Sequence, residues 1–147
     1  HTFIFFLPVL IFHVHFFMGV KWSIAAELEA WALYFGWCPL WDYFWFVLNP
    51  AYAGKFKREC IWWHAKSPWV FGLFPLDYLM GLIISLGFAG GAAWISGSLG
   101  HFGDHLKLLG GFSIYTLLLH AAAPLYHRWY ANMRKSDDRN QVNIFYK

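Results

Sequence analysis

Charged residues are scarce in this sequence of 147 residues. Asp, Glu, Lys and Arg make up 13% of the chain, whereas hydrophobic residues make up 59% and aromatic residues 23%. A soluble domain carries about 25% charged residues. Charge this sparse excludes an ordinary soluble domain, and the basic residues form no continuous stripe of the kind that binds nucleic acid.

Cysteines and recognisable catalytic motifs are also scarce. Cys38 and Cys60 are the two cysteines, which are too few for a disulfide framework, and no Cys-x-x-Cys is present. The chain contains no Gly-x-Ser-x-Gly, no Walker A sequence and no His-Glu-x-x-His. The sequence therefore carries no signature of the common hydrolases, nucleotide triphosphatases or zinc proteases.

What the chain does have is long uncharged runs. Residues 1–20, 78–103 and 108–127 contain no Asp, Glu, Lys or Arg, and residues 30–54 contain only Asp42. Each run reaches the roughly 18 residues that a membrane-spanning helix needs. The sequence predicts an all-α, polytopic integral membrane protein with four transmembrane helices at 2–20, 24–48, 70–96 and 107–131. Residues 1–131 then form a single transmembrane domain, and residues 132–147 form a hydrophilic cytoplasmic tail.

Lysines and arginines are distributed unevenly between the two sides of these helices. Of the 11 in the chain, only Lys21 and Lys107 fall on one side. The other side carries Lys55, Lys57, Arg58, Lys66, Arg128, Arg134, Lys135, Arg139 and Lys147. Because positively charged loops stay in the cytoplasm, both termini are predicted to be cytoplasmic.

The connection between the second and third helices is rich in aromatic and basic residues. Asn49 and Pro50 are expected to end the second helix, because proline restricts the residue before it and cannot continue the helix. Residues 55–69 are predicted to lie along the membrane interface as a short amphipathic segment, with Trp62 and Trp63 in an aromatic belt. Small residues in the third helix are expected to permit close helix packing.

Asp42 is the most unusual residue of these helices. An ionisable side chain inside a spanning helix costs about 2.5–3.5 kcal/mol by insertion scales, so it needs a partner, water or a function. Asp42, His64, Asp77 and His127 are predicted to lie at one level near the cytoplasmic ends. Asp42, Asp77 and His64 are candidate catalytic acids and bases, and all four are candidate metal ligands. The alternative is a structural network, with Asp42 bonded to Tyr or Trp or paired with Arg128.

A second polar cluster is predicted on the opposite side. His101 and His105 have the spacing of two metal ligands on one helix face. The alternative is helix capping, because Asp104 suits the start of the fourth helix and Glu27 and Glu29 suit the first turn of the second. His13 and His120 lie in helix interiors and are candidate axial ligands of a tetrapyrrole such as haem. A buried histidine with a hydrogen-bond partner is the alternative for each.

Three functions are compatible with these patterns, of which a carrier or channel for protons or ions ranks third, because four short helices leave little room for alternating access. The first is a small integral membrane subunit that packs within a larger membrane complex, with the lipid bilayer and other membrane subunits or a second copy as partners. The alternative is a membrane enzyme or redox protein that acts on a lipid-soluble substrate through a His/carboxylate site. A divalent metal ion and a tetrapyrrole are the cofactors that these residue types suit.

Overall fold

The computed structural model describes residues 2–61 and 64–135, with side chains from Phe6 onward. Within this part of the chain four α-helices follow one another: α1 at Thr2–Phe17, α2 at Ile24–Leu48, α3 at Leu76–Ser96 and α4 at Leu99–Lys135. The all-helical prediction is thereby confirmed. The Trp62–Trp63 belt and residues 136–147 of the predicted tail lie outside the described residues.

Helix α2 has the predicted bounds because both ends carry clear signals. The Ser23 hydroxyl accepts a hydrogen bond from the Ala26 amide at 3.2 Å, which satisfies one of the unpaired amides of the first turn. At the other end the Asn49 side chain accepts from the Ala51 amide at 3.0 Å and begins a 3₁₀ turn at Pro50–Tyr52. Helix α2 is therefore about 38 Å long at 1.5 Å per residue.

The start of the third helix differs from the prediction. Strand β1 at Trp69–Val70 pairs in antiparallel fashion with β2 at Phe74–Pro75, and α3 begins only at Leu76. The tight turn places Phe71 at φ 49° and Gly72 at φ 73°, which no helix tolerates. A helix from residue 70 is therefore excluded by the hairpin.

The segment 55–69 is two-sided, as predicted, but its described residues contain no α-helix. It forms a 3₁₀ turn at Arg58–Cys60. Ile61 and His64 are buried, whereas Lys57 and Arg58 are exposed. The apolar face of this segment covers the ends of α2 and α3, and its basic face is open.

Helix α4 begins eight residues earlier than predicted. Gly97 ends α3 with φ 66°, and α4 starts at Leu99 directly afterwards. The glycines at 100 and 103 do not interrupt α4, so His101 and His105 lie inside it. Its 37 residues make α4 about 56 Å long, which includes the first four residues of the predicted tail.

Small residues form the contact between helices. Helix α2 packs most extensively on α3, α4 contacts both, and α1 packs on α2. Ser85 and Ala92 of α3 and Ala32 of α2 are fully buried. A Cβ atom at Gly36 would lie 2.9 Å from both the Ser85 hydroxyl and the Leu109 side chain, so a larger residue would have to displace these atoms.

Large apolar side chains cover the outside of the bundle. Among the described helices, α3 and α4 are long and apolar enough to cross a membrane. In the most apolar stretch of 18 residues, only 22% of α3 and 6% of α4 is buried. Trp94 is 87% exposed and Leu117 is 69% exposed. Helix α1 is about 24 Å long, which is shorter than the roughly 30 Å core of a bilayer, and α2 is long enough but does not reach the hydropathy of α3 and α4. Two candidate spans are therefore established by length and composition, and the predicted four are not confirmed.

Candidate functional site

Asp42, His64 and Asp77 meet where the connection 49–75 covers the ends of α2 and α3. The His64 Nε2 atom lies 2.8 Å from Asp42 Oδ2, and its Nδ1 atom lies 3.4 Å from Asp77 Oδ2. Asp42 comes from α2, Asp77 from the first turn of α3, and His64 from the turn after Ile61. The imidazole ring is therefore hydrogen-bonded to Asp42 and lies within ion-pair distance, without hydrogen-bond geometry, of Asp77 on a different helix.

Two hydroxyl groups complete this network. The Tyr78 hydroxyl donates to Asp42 Oδ2 at 2.6 Å, and the Ser67 hydroxyl donates to Asp77 Oδ2 at 2.8 Å. The Trp69 indole N–H donates to the His64 carbonyl at 3.0 Å and fixes the turn that carries the ring. Sequence reasoning missed Tyr78 and Ser67, although Tyr78 is next to Asp77 in the first turn of α3.

The network offers several positions for one proton. The two ring nitrogens of His64 each face a carboxylate oxygen, and both imidazole nitrogens and carboxylate oxygens can carry a proton. The side chain of His64 is 11% exposed, that of Asp42 33% and that of Asp77 57%. Exposure to solvent therefore increases from His64 through Asp42 to Asp77.

The predicted four-residue metal site is not assembled. No group of three or more His, Cys, Asp or Glu side chains in the described ranges could hold a metal ion. Asp42 and Asp77 lie against opposite nitrogens of His64, so the two acids and the ring cannot converge on one ion. His120 bonds to Tyr43 at 2.8 Å and so lies at the level of Asp42, the residue before Tyr43. His127 is seven residues further along α4, which is about 10 Å past that level.

His13 and His120 are not arranged as the two axial ligands of one tetrapyrrole. The His13 Nε2 atom lies 3.1 Å from Glu27, while His120 bonds to Tyr43. Glu27 and Tyr43 are 16 residues apart in α2, or about 24 Å along its axis. Both ligands of a haem iron bind the same atom, and this separation rules out that pairing.

The opposite end of the bundle holds paired polar groups. Glu27 accepts hydrogen bonds from the indoles of Trp22 and Trp31 as well as contacting His13. His101 pairs with Glu29 at 2.7 Å, whereas His105 contacts the Ser85 hydroxyl at 2.9 Å. The two histidines of the predicted metal spacing therefore have different partners.

Asp104 does not cap α4, because it lies inside the helix. It pairs with Lys107 at 2.7 Å, three residues further along. Both side chains are largely exposed. This ion pair is a surface feature, and exposed pairs of this kind contribute little to stability.

An aromatic cleft lies on the neighbouring face of α2. It has a volume of about 400 Å³ and is formed by the C-terminal part of α2 and the last third of α4. Its lining includes Trp41, Phe44, Trp45, Leu48, Tyr126 and Tyr130. The cleft and the Asp42 network therefore share one end of the bundle without sharing a side chain.

Comparison with known protein families, with curated proteins and with solved structures gives no match to the chain.

Proposed function

We propose that this chain is an integral membrane protein whose four helices lie in the bilayer, with both termini in the cytoplasm. Support for this comes from the exposed apolar faces of α3 and α4, which would be unstable in water over such an area. The connection 49–75 and the end of α4 both line the aromatic cleft. Their basic residues therefore lie at the same end of the bundle. The bias of Lys and Arg toward this end favours a cytoplasmic position.

The function we infer is acid–base catalysis on a lipid-soluble substrate, carried out by Asp42, His64 and Asp77. The observation that carries this proposal is the His64 ring held between two carboxylates. His64 is largely buried and Asp42 is partly buried beside apolar helices, where an ionisable side chain costs free energy and needs a reason. Proton transfer provides that reason, because the ring can accept a proton on one side and release it on the other.

Each residue has a specific role in this proposal. Asp42 holds the ring on its Nε2 side and is itself fixed by the Tyr78 hydroxyl. Asp77, the most exposed of the three, exchanges the proton with water. His64, whose two ring nitrogens face Asp42 and Asp77, passes the proton between these carboxylates, and Asp42 is the acid or base toward the substrate, which approaches from the membrane interface.

A second function, packing against another membrane subunit or a second copy, is favoured by helix glycines with open space where a side chain would be. A Cβ atom at Gly103 or Gly110 of α4 would meet no atom within 4 Å, and the same is true of Gly87 and Gly90 of α3. Gly103 and Gly110 are seven residues apart and so share a helix face. In membranes, small residues on a helix surface allow a neighbouring helix to approach closely.

The experiment that tests the catalytic proposal compares lipid extracts from cells whose chromosomal copy carries His64→Gln or His101→Gln. His101 is the matched control, because it is also paired with a carboxylate but lies at the opposite end. We expect a lipid-soluble compound to accumulate in the His64→Gln cells only. Both variants are first quantified in the membrane fraction, and identical extracts at equal protein levels would refute acid–base catalysis at His64.

A further inference from the structure

The aromatic cleft between α2 and α4 has the properties of a binding site for an organic cation. Of its side chains five are aromatic: Trp41, Phe44, Trp45, Tyr126 and Tyr130. None of the residues that line it is charged. Aromatic faces attract cations through the negative potential above the ring, and tryptophan does so most strongly.

The rings of the cleft are partly open and held by neighbours. Trp41 is 44% exposed, Trp45 42% and Tyr126 39%. Trp41 stacks on Trp37 with ring centroids 5.0 Å apart, and Trp45 contacts Tyr52 at 5.0 Å. Rings fixed in this way lose little freedom when a ligand binds, which favours affinity.

The end of α2 adds a second and independent preference for positive charge. Leu48, the last residue of α2, and Asn49 both line the cleft. The C-terminus of a helix carries a partial negative charge, which a Lys, Arg or His in the last turn commonly offsets. The last turn of α2 contains no basic residue. The Lys55 ammonium bonds to the Ala51 carbonyl at 3.1 Å and does not line the cleft.

The side chains of the cleft suit a cation without N–H groups. A primary ammonium brings three donors that need acceptors. The Asn49 oxygen already accepts from the Ala51 amide, which leaves the hydroxyls of Tyr126 and Tyr130 and the last carbonyls of α2 as acceptors, none of which is a charged side chain. A quaternary ammonium has no donors to satisfy and gains the full attraction of the ring faces.

We propose that this cleft binds the quaternary ammonium headgroup of a phosphatidylcholine-type lipid. The cleft lies at the basic end of the bundle, at the level where headgroups meet the helix ends. The headgroup places its trimethylammonium group against Trp41, Trp45 and Tyr126, near the C-terminus of α2. This site is separate from the Asp42 network and does not depend on the proposed catalysis.

The test is native mass spectrometry of the purified full chain with an equimolar mixture of phosphatidylcholine, phosphatidylethanolamine and phosphatidylglycerol carrying the same acyl chains. We expect phosphatidylcholine adducts to predominate in the wild type. Trp45→Leu and Tyr126→Leu, made separately, should each lower that preference about two- to fivefold. Trp94→Leu removes an indole that is 87% exposed at the end of α3, and it should leave the preference unchanged.

Other outcomes would overturn the proposal. Equal binding of the three lipids would mean nonspecific lipid association only. A preference for phosphatidylethanolamine would refute the quaternary ammonium, and a preference for phosphatidylglycerol would assign lipid binding to the basic residues instead. A phosphatidylcholine preference that survives both cleft substitutions would place the site elsewhere on the protein.

Discussion

Replacing Tyr78 with phenylalanine removes one hydroxyl group from the candidate site and keeps the ring. The ring contacts His64 with centroids 5.6 Å apart and Phe56 at 6.2 Å, and Tyr78→Phe preserves both contacts. What is lost is the 2.6 Å hydrogen bond to Asp42 Oδ2. Among the described side chains, His64 then remains as the hydrogen-bond partner of that oxygen.

The size of the effect follows from the charge and burial of Asp42. A hydrogen bond to a charged group contributes about 1.5–3 kcal/mol to stability. Because the Asp42 side chain is 33% exposed, water replaces part of the lost bond, and we expect the lower part of that range, about 1.5–2 kcal/mol. For a chain of this size the midpoint of thermal unfolding should fall by about 3–8 °C.

The assay is thermal unfolding of the purified protein in detergent, with Tyr115→Phe as the matched control. Tyr115 is 55% exposed on α4 and has a ring contact with Phe44 at 5.9 Å. Asp42→Asn is then combined with Tyr78→Phe, and the second substitution should cost less in that background, because a neutral acceptor bonds more weakly. Equal midpoints for Tyr78→Phe and Tyr115→Phe would refute the reasoning.

Further predictions concern packing and topology. Gly36→Ala should destabilise the bundle by about 1–3 kcal/mol through overpacking, because its Cβ atom would lie 2.9 Å from Ser85 and Leu109. Gly111→Ala, whose Cβ atom would meet no atom within 4 Å, should be neutral or stabilising when both variants are compared by thermal unfolding. Cys60 is exposed in the connection that we place in the cytoplasm. In a Cys38→Ser background, a membrane-impermeant maleimide should label Cys60 in inside-out vesicles but not in intact cells, and labelling of intact cells would reverse the proposed orientation.

The sequence predicted helix bounds where terminal signals were local. Ser23 and the Asn49–Pro50 pair mark both ends of α2, and its predicted and observed bounds agree. The start of α3 was wrong because the hairpin at 69–75 depends on Phe71 adopting a positive φ, which its residue type does not indicate. The start of α4 was wrong because tertiary contacts outweigh the helix-weakening effect of glycines 100 and 103.

The position of the candidate-site residues along the helix axes was predictable from the sequence, but the direction in which each side chain points was not. Counting residues from the helix ends placed Asp42, His64 and Asp77 at one level, and these three side chains do meet. The same counting placed His127 with them, yet it lies further along α4. Depth follows from the rise per residue, whereas the direction of each side chain depends on packing that no single sequence displays. Tyr78 and Ser67 were missed for this reason.

The most direct test of the central claim is the ¹⁵N NMR spectrum of the His64 ring, measured in the wild type and in Asp42→Asn and Asp77→Asn. His64→Gln identifies the two signals by their loss. Because Nε2 faces Asp42 and Nδ1 faces Asp77, the first substitution should shift mainly the Nε2 signal and the second mainly the Nδ1 signal. His64 signals that respond to neither substitution would contradict the network on which the proposed acid–base function depends.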